Sequence, residues 1–392
     1  MALSKAFHQS RRLALGENLK EHDLALVFSG QEVMMSADAN YPFRVNHNFY
    51  YLTGLEEAAV MCVLYKNKHG ELEESLYLNA IDPLKEKWEG RKLRQDEAAH
   101  LTGIHNVKTF AELADDIKAK KISTLFLDSR MLPYQNYKIE DEPLKHYLTK
   151  QKTGDLNPFF EKLRLIKTTE EIAAIKKASQ MTKKAFKRVR QEIKAGLYEY
   201  ELAACFEYLI KRWGAQGTAF ESIVASGENA TTLHYISNQK RIHEGQLILF
   251  DIGARVNGYC GDLSRTVPVS ADMTDQQAMY HDMVKSVQQE MFKSFKPGVS
   301  LKELQQKTLK LFEASCRDNH CLPASGDITE YYFHGIGHSL GLDTHDIRPQ
   351  GDLILEPGMV MTVEPGIYVK EAGIGIRIED DVVITPSGCE VL

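Results

Sequence analysis

Short apolar runs alternate with polar stretches along the first 160 residues. "LALVFS" (24–29), "SLYLNA" (75–80) and "STLFLD" (123–128) have the length and composition of strands, and the polar stretches between them are helical in character. This pattern predicts an α/β domain over residues 1–160. The turn-rich segment "TKQKTGDLNPFF" (149–160) marks its end. Beyond it the period changes. In "IKTTEEIAAIKKASQ" (166–180), Ile172, Ile175 and Ala178 recur at helical spacing, and Thr168 with Glu171 forms a capping box that starts the helix. A second domain is expected over 161–392.

The second region repeats itself. "KAGLYEYEL" (194–202) and "KPGVSLKEL" (296–304) share K-x-G-x-x-x-x-E-L. Each opens an amphipathic helix: Ala203, Phe206, Ile210 and Trp213 mark one face of the first, and Ser300 with Glu303 caps the second. Each helix is followed by two predicted strands joined by a turn, in "GQLILFDIGARVNGYCGDLSRTVPV" (245–269) and "GMVMTVEPGIYVKEAGIGIRIEDDVVIT" (358–385). The matching order predicts a duplicated half, with two hairpins facing each other across a cleft. The expected fold class is α/β, an N-terminal α/β domain followed by a duplicated α+β domain.

Acids fall where the strands are most apolar. In "LILFDIG", Asp251 shares a face with Leu247 and Leu249. Asp262 follows on the returning arm. In the second copy Glu364 ends the apolar strand "MVMTVEPG", and Arg377 and Glu379 share a face of "GIRIEDD". A carboxylate in such a setting is costly unless paired, protonated or bound to metal. Four together repel strongly, and two divalent cations would neutralise them.

The segment "HGIGHSLGLDTHD" (334–346) adds His334, His338 and His345. The i, i+4 pair suggests a zinc helix, but the HExxH glutamate is missing and glycines at 335, 337 and 341 disfavour a regular helix. Those glycines would instead let the backbone approach metals and substrate closely. One imidazole added to four carboxylates makes an oxygen-dominated set. It suits Mn²⁺, with Co²⁺ or Zn²⁺ as alternatives, better than a thiolate-based structural zinc site. Two such ions roughly 3.5–4 Å apart generate a nucleophile from water and polarise a carbonyl.

Composition narrows the setting. Hydrophobic content of 43% and charged content of 26% are those of an ordinary globular protein. A net charge of -6 without long charged blocks argues against a nucleic-acid partner. The chain start has no apolar h-region and no apolar run reaches a membrane span, so no membrane association is expected. Six scattered cysteines without C-x-x-C spacing read as free thiols in a reducing compartment, and a cytoplasmic location is expected.

"DIG…GDLSRT", "HGIGHSLGLDTHD", "VEPGIY" and "GIRIEDD" resemble the metal-binding motifs of proline-specific peptidases of the pita-bread fold. "FRVNHNFYYLTGLEEA" (43–58) and "WEGRKLRQDEA" (88–98) resemble the N-terminal domain of Xaa-Pro aminopeptidases, so the likeness runs over nearly the whole chain. It implies five metal ligands, Asp251, Asp262, His338, Glu364 and Glu379, with Asp262 and Glu379 bridging two ions. For hydrolysis before proline, Glu364 is also expected to shuttle the proton from the attacking hydroxide toward the leaving nitrogen. His234, in "SGENATTLHY", matches a substrate-contacting histidine, and His334 and His345 match histidines that contact substrate or stabilise the oxyanion. Arg377 matches a supporting or substrate-binding arginine, and Tyr368 a tyrosine near the site. Trp88 and Arg91 match residues that border the substrate channel in oligomers, which implies a homodimer or homotetramer. The implied substrates are peptides with proline at position 2.

The stretch between Glu364 and Glu379 is short, as in compact Xaa-Pro dipeptidases, which are the alternative reading. Metal-free pita-bread binding modules and creatine-cleaving hydrolases lose the ligands, whereas all five are present here. The N-terminal domain argues against methionine aminopeptidases.

Overall fold

The structure, a computed structural model, describes residues 3–129, 142–269 and 272–392. The chain divides into two units, Ala2–Leu163 and Arg164–Leu392. In the first, a six-stranded mixed sheet runs in the order Asn106–Thr109, Leu72–Leu78, Met61–Lys66, Asp23–Phe28, Thr124–Leu127, Thr153–Asp155. The runs "LALVFS", "SLYLNA" and "STLFLD" supply three of these strands. Asp23–Phe28 is buried along its whole length, as befits an apolar run covered on both faces. Helices including Phe110–Lys118 pack Leu113 and Ile117 against it.

In the second unit, capping decides where the helices begin. Thr168 Oγ1 accepts from the Glu171 backbone N–H while Glu171 Oε2 accepts from that of Thr168, starting the helix Thr169–Glu192. Ser300 and Glu303 do the same for Leu301–Asp318. The helix of the first repeat spans Glu199–Arg212 and buries Ala203, Phe206 and Ile210, with Trp213 at its C-cap.

Each strand region is richer than two strands and a turn. The first contains Leu247–Ile252 paired with Leu263–Pro268, plus an inner hairpin of Ala254–Val256 and Tyr259–Cys260. The second contains Val360–Val363 paired with Asp380–Thr385, plus an inner hairpin of Gly366–Val369 and Ile374–Arg377. The breaks have local causes. A Cβ on Gly253 would lie 2.2 Å from Gly261 O, so the two arms cross where only glycine fits. Pro365 breaks the second copy because it has no N–H to donate to a ladder.

Strand alternation then sorts the faces. Ile248, Phe250 and Ile252 join Phe186, Phe206 and Ile210 in one helix-covered core. Met361 and Val363 join Met291 and Phe312 in the other, beneath the helices Asp275–Ser294 and Leu301–Asp318. The intervening residues, Asp251 in the first half and Thr362 and Glu364 in the second, face away from those cores.

A buried ion cluster ties the chain entry of this unit to the histidine segment. Asp346 Oδ1 accepts from Arg164 Nη2 at 2.5 Å, and Oδ2 from Lys167 Nζ at 3.1 Å, with all three side chains at most 3% exposed. Arg164 also reaches Asp343, whose side chain is 39% exposed. Removing the buried anion strands two cations. Asp346→Ala is therefore expected to cost about 3–5 kcal/mol, read as a drop in denaturant midpoint. Asp343→Ala should cost no more than about 1 kcal/mol, because water screens that pair.

Candidate active site

The faces turned from the cores enclose a cavity of about 530 Å³. Asp251, Asp262, Glu364, Arg377 and Glu379 line it from the strands, His334, His338 and His345 from the histidine segment, and His234 from the loop after Ile223–Ser226. Phe220, Ile223, Leu233 and Ile236 give it an apolar side.

The histidine segment enters as an added edge. Ile336 O accepts from Glu364 N, His338 O from Thr362 N, and Leu340 N donates to Val360 O, each at 2.9–3.0 Å. The glycines serve this docking. A Cβ on Gly337 would lie 2.0 Å from Thr362 O, and one on Gly341 2.2 Å from Asp346 Oδ2, while one on Gly335 would meet only the Gly337 backbone, at 3.8 Å. Gly337 thus approaches the neighbouring strand and Gly341 the ion cluster, while Gly335 and Gly337 also line the cavity.

Ligand atoms of Asp262, His338 and Glu379 all lie within 4.8 Å of one another. His338 Nε2 is 3.7 Å from Asp262 Oδ2 and 3.4 Å from Glu364 Oε1. Asp251 lines the same cavity, and its Oδ2 accepts from Arg377 Nη2 at 2.6 Å. Asp262 and Glu379 are 3% and 2% exposed, and Asp262 Oδ1 and Glu379 Oε1 accept no hydrogen bond. Burial, then the charge of Glu379, drives the Asp262 carboxyl far above the usual range. Burial, then Glu364 and Asp251, does the same to Glu379. Buried oxygens without donors, facing a neutral imidazole, are what a divalent cation would satisfy, so the donor set fits a metal centre.

Arg377, 3% exposed, organises the neighbours. Its Nε donates to Ser264 Oγ, which donates to Glu379 Oε2 at 2.6 Å. Its Nη1 donates to Tyr368 Oη at 2.8 Å, and Tyr368 Oη lies 2.9 Å from His334 Nε2. With the arginine donating, the phenol proton points to Nε2 of His334, which leaves the imidazole proton on Nδ1 for Gly335 O at 2.8 Å. Burial and the Arg377 charge push His334 down to about 4. Both its ring nitrogens are engaged, so His334 is a wall of the site. His345 instead stacks on His338 with centroids 4.0 Å apart.

Tyr368 lies behind the cavity, in the arginine network. Trp88 and Arg91 belong to the Ala2–Leu163 unit: Trp88 is 90% exposed on Pro83–Glu89, and Arg91 pairs with Glu97. Sequence reasoning missed Ser264, Thr362 and Asp381. Thr362 Oγ1 donates to Glu364 Oε1 at 3.2 Å and accepts from His338 N. Asp381 Oδ2 accepts from Asp262 N at 3.1 Å. Each sits two residues from a site acid, so a period of two applied from those acids would have found them.

Residues 173–386 match the model of metallopeptidase family M24, and residues 8–125 match the aminopeptidase P N-terminal domain. The chain belongs to metallopeptidase family M24 and has its pita-bread fold. It is 33% identical to the Xaa-Pro aminopeptidase of Escherichia coli, over 100% of this chain and 95% of that protein. It superposes on E. coli aminopeptidase P with the inhibitor Pro-Leu at a TM-score of 0.91 and 31% identity, covering 100% and 95% of the two chains. The zinc-substituted E. coli enzyme in complex with product matches at a TM-score of 0.92 and 31% identity, with the same coverage.

The repulsion within the acid cluster yields a test on stability. Asp262→Asn and Glu379→Gln are expected to raise the melting temperature of the metal-free protein, because a buried charge site is lost at nearly constant shape. Both should abolish the further rise that a saturating divalent cation gives the unaltered protein. Differential scanning calorimetry with and without the cation checks both signs.

Proposed function

We propose that this metallopeptidase is a Xaa-Pro aminopeptidase, which hydrolyses the bond before a proline at position 2 and releases the N-terminal residue. The convergence of Asp262, His338 and Glu379 in a cavity shared with Asp251 and Glu364 carries the reading. Full-length similarity to relatives with that name supports it. Proline has no amide N–H and a fixed φ, so a protease that grips extended backbone loses a contact there. A site for it must hold the ring and orient the bond, and the apolar side formed by Phe220, Ile223, Leu233 and Ile236 suits the ring.

Two divalent cations held by Asp251, Asp262, His338, Glu364 and Glu379, with Mn²⁺ the proposed ion and Co²⁺ or Zn²⁺ as substitutes, would supply activated water and carbonyl polarisation. Glu364 manages the proton. It takes a proton from the attacking water and passes it to the proline nitrogen. His234 and His345, at the cavity edge, donate to the substrate and to its developing oxyanion. Arg377 and Tyr368 keep Asp251, Glu379 and His334 in place.

The protein is further proposed to be cytoplasmic and a homodimer or homotetramer. All six cysteines are unpaired, and no helix among the described residues is long and apolar enough to cross a membrane. Trp88 and Leu84 expose an apolar face on one helix, through which Trp88 and Arg91 would border a neighbouring copy's channel. The short hairpin Gly366–Arg377 favours the second reading, a Xaa-Pro dipeptidase.

Two experiments separate these readings. A panel of Xaa-Pro and Xaa-Pro-Xaa-Xaa substrates with Mn²⁺ should show turnover of the longer peptides, and cleavage of the dipeptide alone would select the dipeptidase. His338→Ala is expected to lose bound metal together with activity. His345→Ala should keep its metal and lose about 10²–10³ in kcat, as removal of an oxyanion donor does. Elemental analysis beside kinetics distinguishes the two.

A further inference from the structure

Glu199 is a fully buried acid that the proposed chemistry leaves unused. It is 0% exposed at the first turn of the helix Glu199–Arg212. Its carboxylate accepts five hydrogen bonds. Oε1 takes the backbone N–H and the hydroxyl of Ser226, each at 2.7 Å, and Asn229 Nδ2 at 3.0 Å. Oε2 takes Tyr235 Oη at 2.8 Å and the Lys240 backbone N–H at 2.9 Å. No cation is among these partners. Such an anion is tolerated because neutral donors replace its hydration shell, and it loses that compensation if the donors move.

The two oxygens divide the loop between them. Oε1 gathers its start, Ser226 and Asn229, and Oε2 gathers its end, Tyr235 and Lys240. His234 lies between. Leu233 and Tyr235, on either side of it, pack against Ile223, Ala225, Leu249 and Tyr368. His234 lines the cavity together with Leu233. Asn238 pins the same loop to the strand Ile223–Ser226 by accepting from Val224 N and donating to Ser222 O. The loop carries only a short 3-10 turn, Gly227–Thr231, and no strand ladder, so these side-chain bonds fix its path together with the backbone bonds from Glu199 N to Lys240 O and from Tyr200 N to Asn238 O.

We infer that Glu199 is a positioning residue for the reaction, a buried carboxylate that clasps both ends of the His234 loop and sets where the imidazole meets the substrate. The inference rests on the proposed substrate contact of His234. The test is a double-mutant cycle on the full-length protein saturated with Mn²⁺, using an Xaa-Pro-Xaa-Xaa peptide. Glu199→Gln keeps the shape but turns one acceptor into a donor facing other donors. It is expected to lower kcat/KM by up to about a hundredfold, the scale of a misplaced contact, with metal content unchanged. In the His234→Ala background the same substitution should change kcat/KM by less than about threefold, because the group it positions is gone.

Tyr235→Phe removes a single donor from Oε2 and should show the same pattern at smaller size. It carries the cycle if Glu199→Gln does not fold. Losses that multiply in the double variants, or wild-type kinetics in Glu199→Gln or Tyr235→Phe, would overturn the positioning role while leaving that of His234 intact. Wild-type kinetics in His234→Ala would overturn the His234 contact and the inference with it. The aminopeptidase reading is tested separately, by the substrate panel.

Discussion

The cost of holding several carboxylates together, out of water, at the seam of two hairpins shapes this molecule. Each of these groups would rather be hydrated or protonated, and each raises the cost of its neighbours' charge. Burial and mutual repulsion displace Asp262 and Glu379 furthest, and these two carry buried oxygens that accept no hydrogen bond. The fold overcomes this with backbone geometry. Asp262 and Glu379 each sit just before a returning strand, and each is sewn to the opposite half. Asp262 N donates to Asp381 and Glu379 N to Ser264 O. The duplicated halves cannot separate without breaking the cluster, and the cluster cannot relax without parting the halves. The stored repulsion is then available to a cation.

The positive and neutral groups follow from that constraint. Arg377 places one guanidinium among Asp251, Ser264 and Tyr368 and so distributes a single positive charge over the wall. The same charge, with burial, keeps His334 neutral, and Tyr368 fixes its tautomer. Further out, buried charges appear again, as the Arg164–Asp346–Lys167 cluster under the histidine segment and as Glu199 under the His234 loop. The first braces a segment that backbone bonds also pair to a strand, and the second gathers the ends of a loop without a ladder. Both oxygens of Asp346 and of Glu199 are engaged within the protein, whereas Asp262 and Glu379 in the cavity each keep a buried oxygen without a donor. That difference separates scaffolding charge from reactive charge here.

Much of this was legible in the sequence because strands have a period of two. Asp251 stood out by sharing a face with Leu247 and Leu249, and the repeat pointed to its counterparts in the second half. The capping boxes at Thr168 and Ser300 located helix starts to the residue. The inner hairpins were not legible. Their breaks depend on Gly253 meeting Gly261, a contact between segments that no local pattern encodes. The approach of Gly337 in "HGIGH" to Thr362, of a strand more than twenty residues further on, was not legible either. Ser264, Thr362 and Asp381 could have been found by applying the strand period to every site acid.

The two histidine-bearing segments differ in how firmly they are built, and the difference matches the work proposed for each. The segment carrying His338 is paired to a strand through backbone bonds and anchored by a buried ion cluster, so a metal ligand there has little freedom to move. The loop carrying His234 has no ladder and is held by the Glu199 clasp together with a few backbone bonds, Glu199 N to Lys240 O and Tyr200 N to Asn238 O. A ligand must hold its place through every turnover. A substrate contact gains from a support that is specific yet compliant, since it has to meet different residues ahead of the proline. Rigid backbone for the metal and a carboxylate clasp for the substrate divide those demands between two parts of one cavity.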